Sequence, residues 1–199
     1  MPHGESESVP QELLPGVWHW SARTPSGSDD ACAFLREGRT VLVDPVTLGA
    51  SAVDAFGALE AIVLTSAHHE RAAWALRRLR GTHVYAPDGA RLSERPDHRY
   101  SGGDLLPGGL TAFHAPGIDP AQFVLWRARP VSVVYLSDVV LCDRDGTPHL
   151  ESAARASLVR VLDDVPFVAA FVAHGPPLVE RARERLAMLV GGDAGAHPA

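Results

Sequence analysis

The residues best equipped for chemistry lie in one short stretch, Thr65-Ser66-Ala67-His68-His69-Glu70-Arg71. Two adjacent imidazoles followed by a carboxylate offer donors that can move protons near neutral pH or hold a divalent cation. Their setting is a change of period. Ala61-Ile62-Val63-Leu64 is a short apolar run of the kind that forms a buried parallel strand. Beyond Glu70 the spacing turns helical, with Ala72, Leu76 and Leu79 on one stripe and Arg71, Arg77, Arg78 and Arg80 on other faces. The loop between them sits at the carboxyl end of a strand, where open α/β sheets bind ligands.

Three further strand ends carry chemistry-bearing residues: His114 to Pro120, Ser137-Asp138 and Ala173-His174-Gly175. The elements that must position them follow from period. Val17-Trp18-His19-Trp20 alternates as a strand after the Pro15-Gly16 turn, and Ala31 to Arg36 and Thr40 to Asp44 complete a β-meander. Gly49 to Leu59 reads as a helix and Thr82 to Ala86 as a strand, while Asp97 to Gly109 is loop or edge structure. Leu110 to His114, Ala121 to Arg127 and Ser132 to Ser137 form a second meander. Leu150, Ala154, Leu158 and Val161 then mark a helix, Phe167 to Ala173 a buried strand, and Leu178 to Leu189 a last helix. Two similar halves, each with strands followed by helices, imply two mixed sheets packed face to face with helices outside.

The chain of 199 residues suits one domain, over 13–190, between polar segments 1–12 and 191–199 expected to be frayed. A formal charge of −6 gives no reason to expect nucleic acid or an anionic membrane as partner. All 18 cationic side chains are Arg, which excludes Schiff-base lysine chemistry. Cys32 and Cys142 each lie in or beside an apolar run and read as buried thiols, consistent with a reducing, cytoplasmic setting. No signal peptide and no apolar run of spanning length is read. Neither a Gly-rich phosphate loop nor a Gly-x-Ser-x-Gly elbow is present.

The four loops, in this order, resemble those of the metallo-β-lactamase superfamily, from Pro15-Gly16-Val17 to the final helix. The resemblance implies an α+β, four-layer αβ/βα sandwich. In that family the loops read T-H-x-H-x-D-H, P-G-H-T, a terminal Asp and H-G, and their ligands share two metal ions. Carried over by position, Thr65, His68, Pro116-Gly117, Asp138 and His174-Gly175 match. Ser66 and Ile118 stand where two ligands of the first metal should be. Glu70 replaces an Asp, and Arg71 replaces a His. The implied remnant is a partial site of His68, Glu70, Asp138 and His174, in a cleft with Ser66, His69, Arg71, His114, Ile118 and Asp119.

Two readings of that remnant stay open. In one, it holds a single zinc or iron ion. In the other, Arg71 enters the cleft, pairs with Asp138 or Glu70 and replaces a cation's charge, and no metal is tightly bound. His69 is expected to face solvent or to pack. His19, His83 and His98 have no partner by spacing. The corresponding functions are hydrolysis of a small ester or thioester with at most one metal, or noncatalytic binding of a small-molecule ligand on a hydrolase fold.

Overall fold

Fourteen strands and four α-helices are present in the computed structural model, which describes residues 9–24 and 27–191. In chain order they are β1 (Gln11–Leu14), β2 (Val17–Thr24), β3 (Gly27–Arg36), β4 (Arg39–Val43), α1 (Ala50–Ala55), β5 (Ala58–Val63), α2 (Ala73–Arg80), β6 (His83–Pro87), β7 (His98–Tyr100), β8 (Leu105–Leu106), β9 (Leu110–His114), β10 (Phe123–Arg127), β11 (Val133–Tyr135), β12 (Leu141–Cys142), β13 (Pro148–His149), α3 (Arg155–Asp164), β14 (Ala169–Phe171) and α4 (Ala182–Gly191). β1 to β7 form one sheet in sequence order, antiparallel as far as β4 and parallel from β4 to β7. The second sheet runs β14-β11-β10-β9-β8, with β14 parallel to β11.

Period-2 alternation sorts the side chains into four layers. Val41, Val43, Ala61 and Val63 face the second sheet and meet Leu110, Leu125, Val133, Tyr135 and Phe171. Their alternates Leu42, Ile62 and Leu64 face outward against Val53 and Phe56 around α1 and Trp74 and Leu76 of α2. On the far side Val124, Val134 and Ala170 pack against Leu158, Val161 and Leu162 of α3 and Leu186 of α4. The result is the αβ/βα sandwich that the order of elements implied.

The departures are local. The helix expected over Gly49 to Leu59 ends at Ala55, because Gly57 at φ +69° turns the chain into β5. Asp97 to Gly109 contributes the short edge strands β7 and β8. β1 begins inside the segment expected to be frayed, pairing with β2. The expected tails at 1–8 and 192–199 lie outside the described residues. Both cysteines are buried and free, as their apolar surroundings suggested. No described helix is long and apolar enough to cross a membrane.

Candidate functional site

At the carboxyl ends of the parallel strands the two sheets are joined by backbone hydrogen bonds, Asp30 N–H to Ala173 O at 2.8 Å and Phe123 N–H to Thr65 O at 2.9 Å. Around this seam His69, Asp138 and His174 converge, each offering a ligand atom, all within 4.8 Å of one another. His69 Nε2 lies 3.2 Å from Asp138 Oδ2, and His174 Nε2 lies 3.4 Å from Asp138 Oδ1.

His68 is not part of this group; it is exposed, and His69 is 98% buried in its place. Ala67–His69 forms a single 3-10 turn capped by Ser66, whose Oγ accepts the His68 N–H at 3.2 Å. Three residues per turn rotate successive side chains by about 120°, so one of two adjacent histidines must leave the cleft. Glu70 also turns away. Its carboxylate accepts the Trp74 indole N–H and the Ser93 backbone N–H, fastening the loop to the segment before β7.

Arg71 corrects a second expectation. It pairs with neither Asp138 nor Glu70. Its guanidinium donates to the carbonyls of Asp30 (2.8 Å), Asp44 (3.1 Å) and Ala173 (3.2 Å), and lies 3.7 Å from the Asp29 carboxylate. It therefore caps strand ends from both sheets. Ile118 is 68% exposed, and Asp119 is a turn-former whose Oδ1 accepts the Ala121 N–H. His114 is exposed and donates to Pro120 O at 2.8 Å, remaining a strand residue.

Each converging group has a polar holder from a different strand end. His69 Nδ1 donates to the fully buried Asp44 at 2.9 Å, with the Thr65 and Ser137 hydroxyls alongside. Asp44 is itself held by the N–H and hydroxyl of Thr65. His174 Nδ1 lies 3.1 Å from both Asp29 Oδ1 and Ser28 O, and the next residue's N–H, that of Gly175, is taken by Asp30 Oδ2 at 2.7 Å. His19, without an expected partner, lies 2.9 Å from the other oxygen of Asp30. With its side-chain oxygen toward the turn, the Gln122 amide accepts the N–H groups of Asp138 and Val139 at 3.1 and 2.9 Å. Asp44, Arg71 and Ser137, none of them glycine, adopt φ of +46°, +37° and +54°. Such left-handed backbone persists only where surrounding bonds over-determine it.

The electrostatics follow from these contacts. Burial disfavours charge on His69, but Asp44 and then the hydrogen bond to Asp138 outweigh it, pushing the imidazole up to about 9. Burial alone would raise Asp138, yet hydrogen bonds and charge from His174 and His69 hold it well below the usual carboxylate range. The hydrogen bond to Asp138 raises His174 above its ordinary value, against burial.

Whether these residues suit a cation is decided by their spare atoms. Both imidazoles commit Nδ1 to oxygen acceptors and turn Nε2 toward Asp138. Asp138 Oδ1 is buried, with His174 Nε2 3.4 Å away and no closer donor on it. Carboxylates behind imidazoles are the outer-shell arrangement that orients histidine ligands of metals. The donor set fits one divalent cation. Ser66, at one expected ligand position, caps a turn, and Ile118, at another, is exposed hydrocarbon.

No family model matches the chain, and no curated protein does. Solved structures do. A metallo-β-lactamase from Hirschia baltica aligns with TM-score 0.71 at 16% identity, over 93% of this chain and 97% of its own. FIM-1 of Pseudomonas aeruginosa, in a mono-zinc form, aligns with TM-score 0.74 at 15% identity, over 96% and 98%. DIM-1, exposed to ceftazidime, gives 0.73 at 15%, over 96% and 99%. The chain has the metallo-β-lactamase fold.

Proposed function

We propose that this protein is a metallo-β-lactamase-fold hydrolase that works with a single divalent cation, zinc or iron, held by His69 Nε2, Asp138 and His174 Nε2. The observation that carries the reading is the convergence of His69, Asp138 and His174, whose ligand atoms lie within 4.8 Å of one another while both Nδ1 atoms are already engaged. When bound, the cation supplies Lewis acidity, polarising a carbonyl and acidifying a water, which suits a small ester or thioester substrate. Asp44 and Asp29 keep the protons on Nδ1 and so keep both Nε2 atoms available. Gln122 holds the turn that aims Asp138. Arg71, occupied by three carbonyls, stays out of the reacting volume.

A second reading, a noncatalytic binding protein, is favoured by one observation. With both nitrogens protonated, His69 bridges Asp44 and Asp138 and neutralises the cluster without a metal. Elemental analysis of protein expressed with added zinc and iron separates the two. One equivalent per chain, lost in His174→Ala together with turnover of a small thioester, supports the hydrolase. No metal and no turnover supports the binder, and two equivalents refute both accounts of the ligand set.

A further inference from the structure

Away from the cleft, β6 and β7 form the open parallel edge of the seven-stranded sheet, with Tyr85 opposite His98. His83 precedes Tyr85 by two residues and so shares its face. His98 stacks on Tyr85 at 4.4 Å between ring centroids and brings its Nε2 to 3.0 Å from His83 Nδ1. Both imidazoles are exposed. Asp97 is adjacent but committed, one carboxylate oxygen to Arg77 at 2.7 Å and the other to the Val84 N–H at 2.9 Å. Two imidazole nitrogens are therefore hydrogen-bonded to each other with no carboxylate between them, at the amino-terminal ends of β6 and β7.

We propose that His83 and His98 form a second metal site, for a borderline divalent transition-metal ion that prefers ligands at right angles. The spacing selects the class of ion. With metal–nitrogen bonds of about 2.0–2.1 Å, nitrogens 3.0 Å apart subtend an angle of about 94° at the metal. Tetrahedral zinc needs its nitrogens about 3.4 Å apart at the same bond length. Right-angle imidazole pairs suit tetragonal or octahedral copper(II) and nickel(II). Water fills the remaining positions, because no third protein donor converges there among the described residues. The ion cross-links β7 to β6, so binding raises the stability of the native state. The face of Tyr85 against His98 places a reporter ring beside the metal.

The test is a nickel(II) titration of the full chain, followed by NMR of the Tyr85 ring and the histidine imidazoles and by calorimetry, then repeated with zinc(II). Paramagnetic broadening of Tyr85, His83 and His98 with the first equivalent is expected. The affinity at this edge should fall at least tenfold in each of His83→Gln and His98→Gln, and zinc should bind it more weakly than nickel. Wild-type nickel affinity in both variants, or zinc binding this edge more tightly than nickel, overturns the proposal. The cleft is read at separate resonances, those of His69 and His174, so its success or failure does not affect the result.

Discussion

Arg71→Ala offers the sharpest test of how the cleft is held. The side chain is 9% exposed and its guanidinium donates to carbonyls of β3, the end of β4 and the end of β14. A hydrogen bond from a charged group contributes about 1.5–3 kcal/mol. Three that share one donor are not additive, and the 3.2 Å bond to Ala173 is the weakest by length. Counting the two shorter bonds at the low end and all three at partial strength gives a loss of about 3–5 kcal/mol. For a domain of this size that lowers the melting temperature by about 6–20 °C. Urea unfolding at pH 7 measures the loss directly, with Arg71→Lys as control, since one ammonium cannot span three carbonyls and should recover less than half. A loss under about 1 kcal/mol in Arg71→Ala would refute the assignment, because water would then be satisfying those carbonyls equally well.

Two further outcomes follow from the same geometry. In metal-free protein, His69 is raised to about 9, so its stabilising contribution is complete below its ordinary value near 6.5 and disappears as the pH rises through 9. Asp138 acts in the opposite sense, its contribution being complete above the ordinary carboxylate range and lost on acidification. Urea midpoints should peak between about pH 5 and 6.5, and Asp44→Asn should flatten the alkaline arm; an unchanged arm would mean that Asp44 does not hold the imidazolium. Gly175→Ala should abolish folding or cost more than about 4 kcal/mol, because Gly175 sits at φ +96° and a Cβ there falls 2.0 Å from Cys142 O. Recovery of soluble protein with a wild-type melting temperature would contradict that placement.

Much of this molecule is legible in its sequence. Alternation in Val17 to Trp20, the short apolar runs of Thr40 to Asp44 and Ala61 to Leu64, and helical spacing after Glu70 are local properties of the chain, and they carry the first sheet and its outer helix. Asp138 and His174 are legible for a similar reason: each lies three residues beyond a strand, so its place at the sheet edge is determined by a few residues of backbone. What the linear order could not decide was direction and partnership. Which of His68 and His69 enters the cleft depends on a 3-10 turn and its Ser66 cap, since one residue's rotation exchanges inside for outside. Arg71 reaches Ala173, 102 residues away, because strand ends leave carbonyls unpaired and only the packed sheets bring them together. Asp29, Asp30, Asp44 and Gln122 carried no distinguishing spacing, and their roles arise only where buried imidazoles and turns need donors or acceptors. Local period along the chain sets the layers and the ends at which chemistry gathers; packing sets which atoms meet there, because a side chain's partner is chosen across distances that no local period encodes.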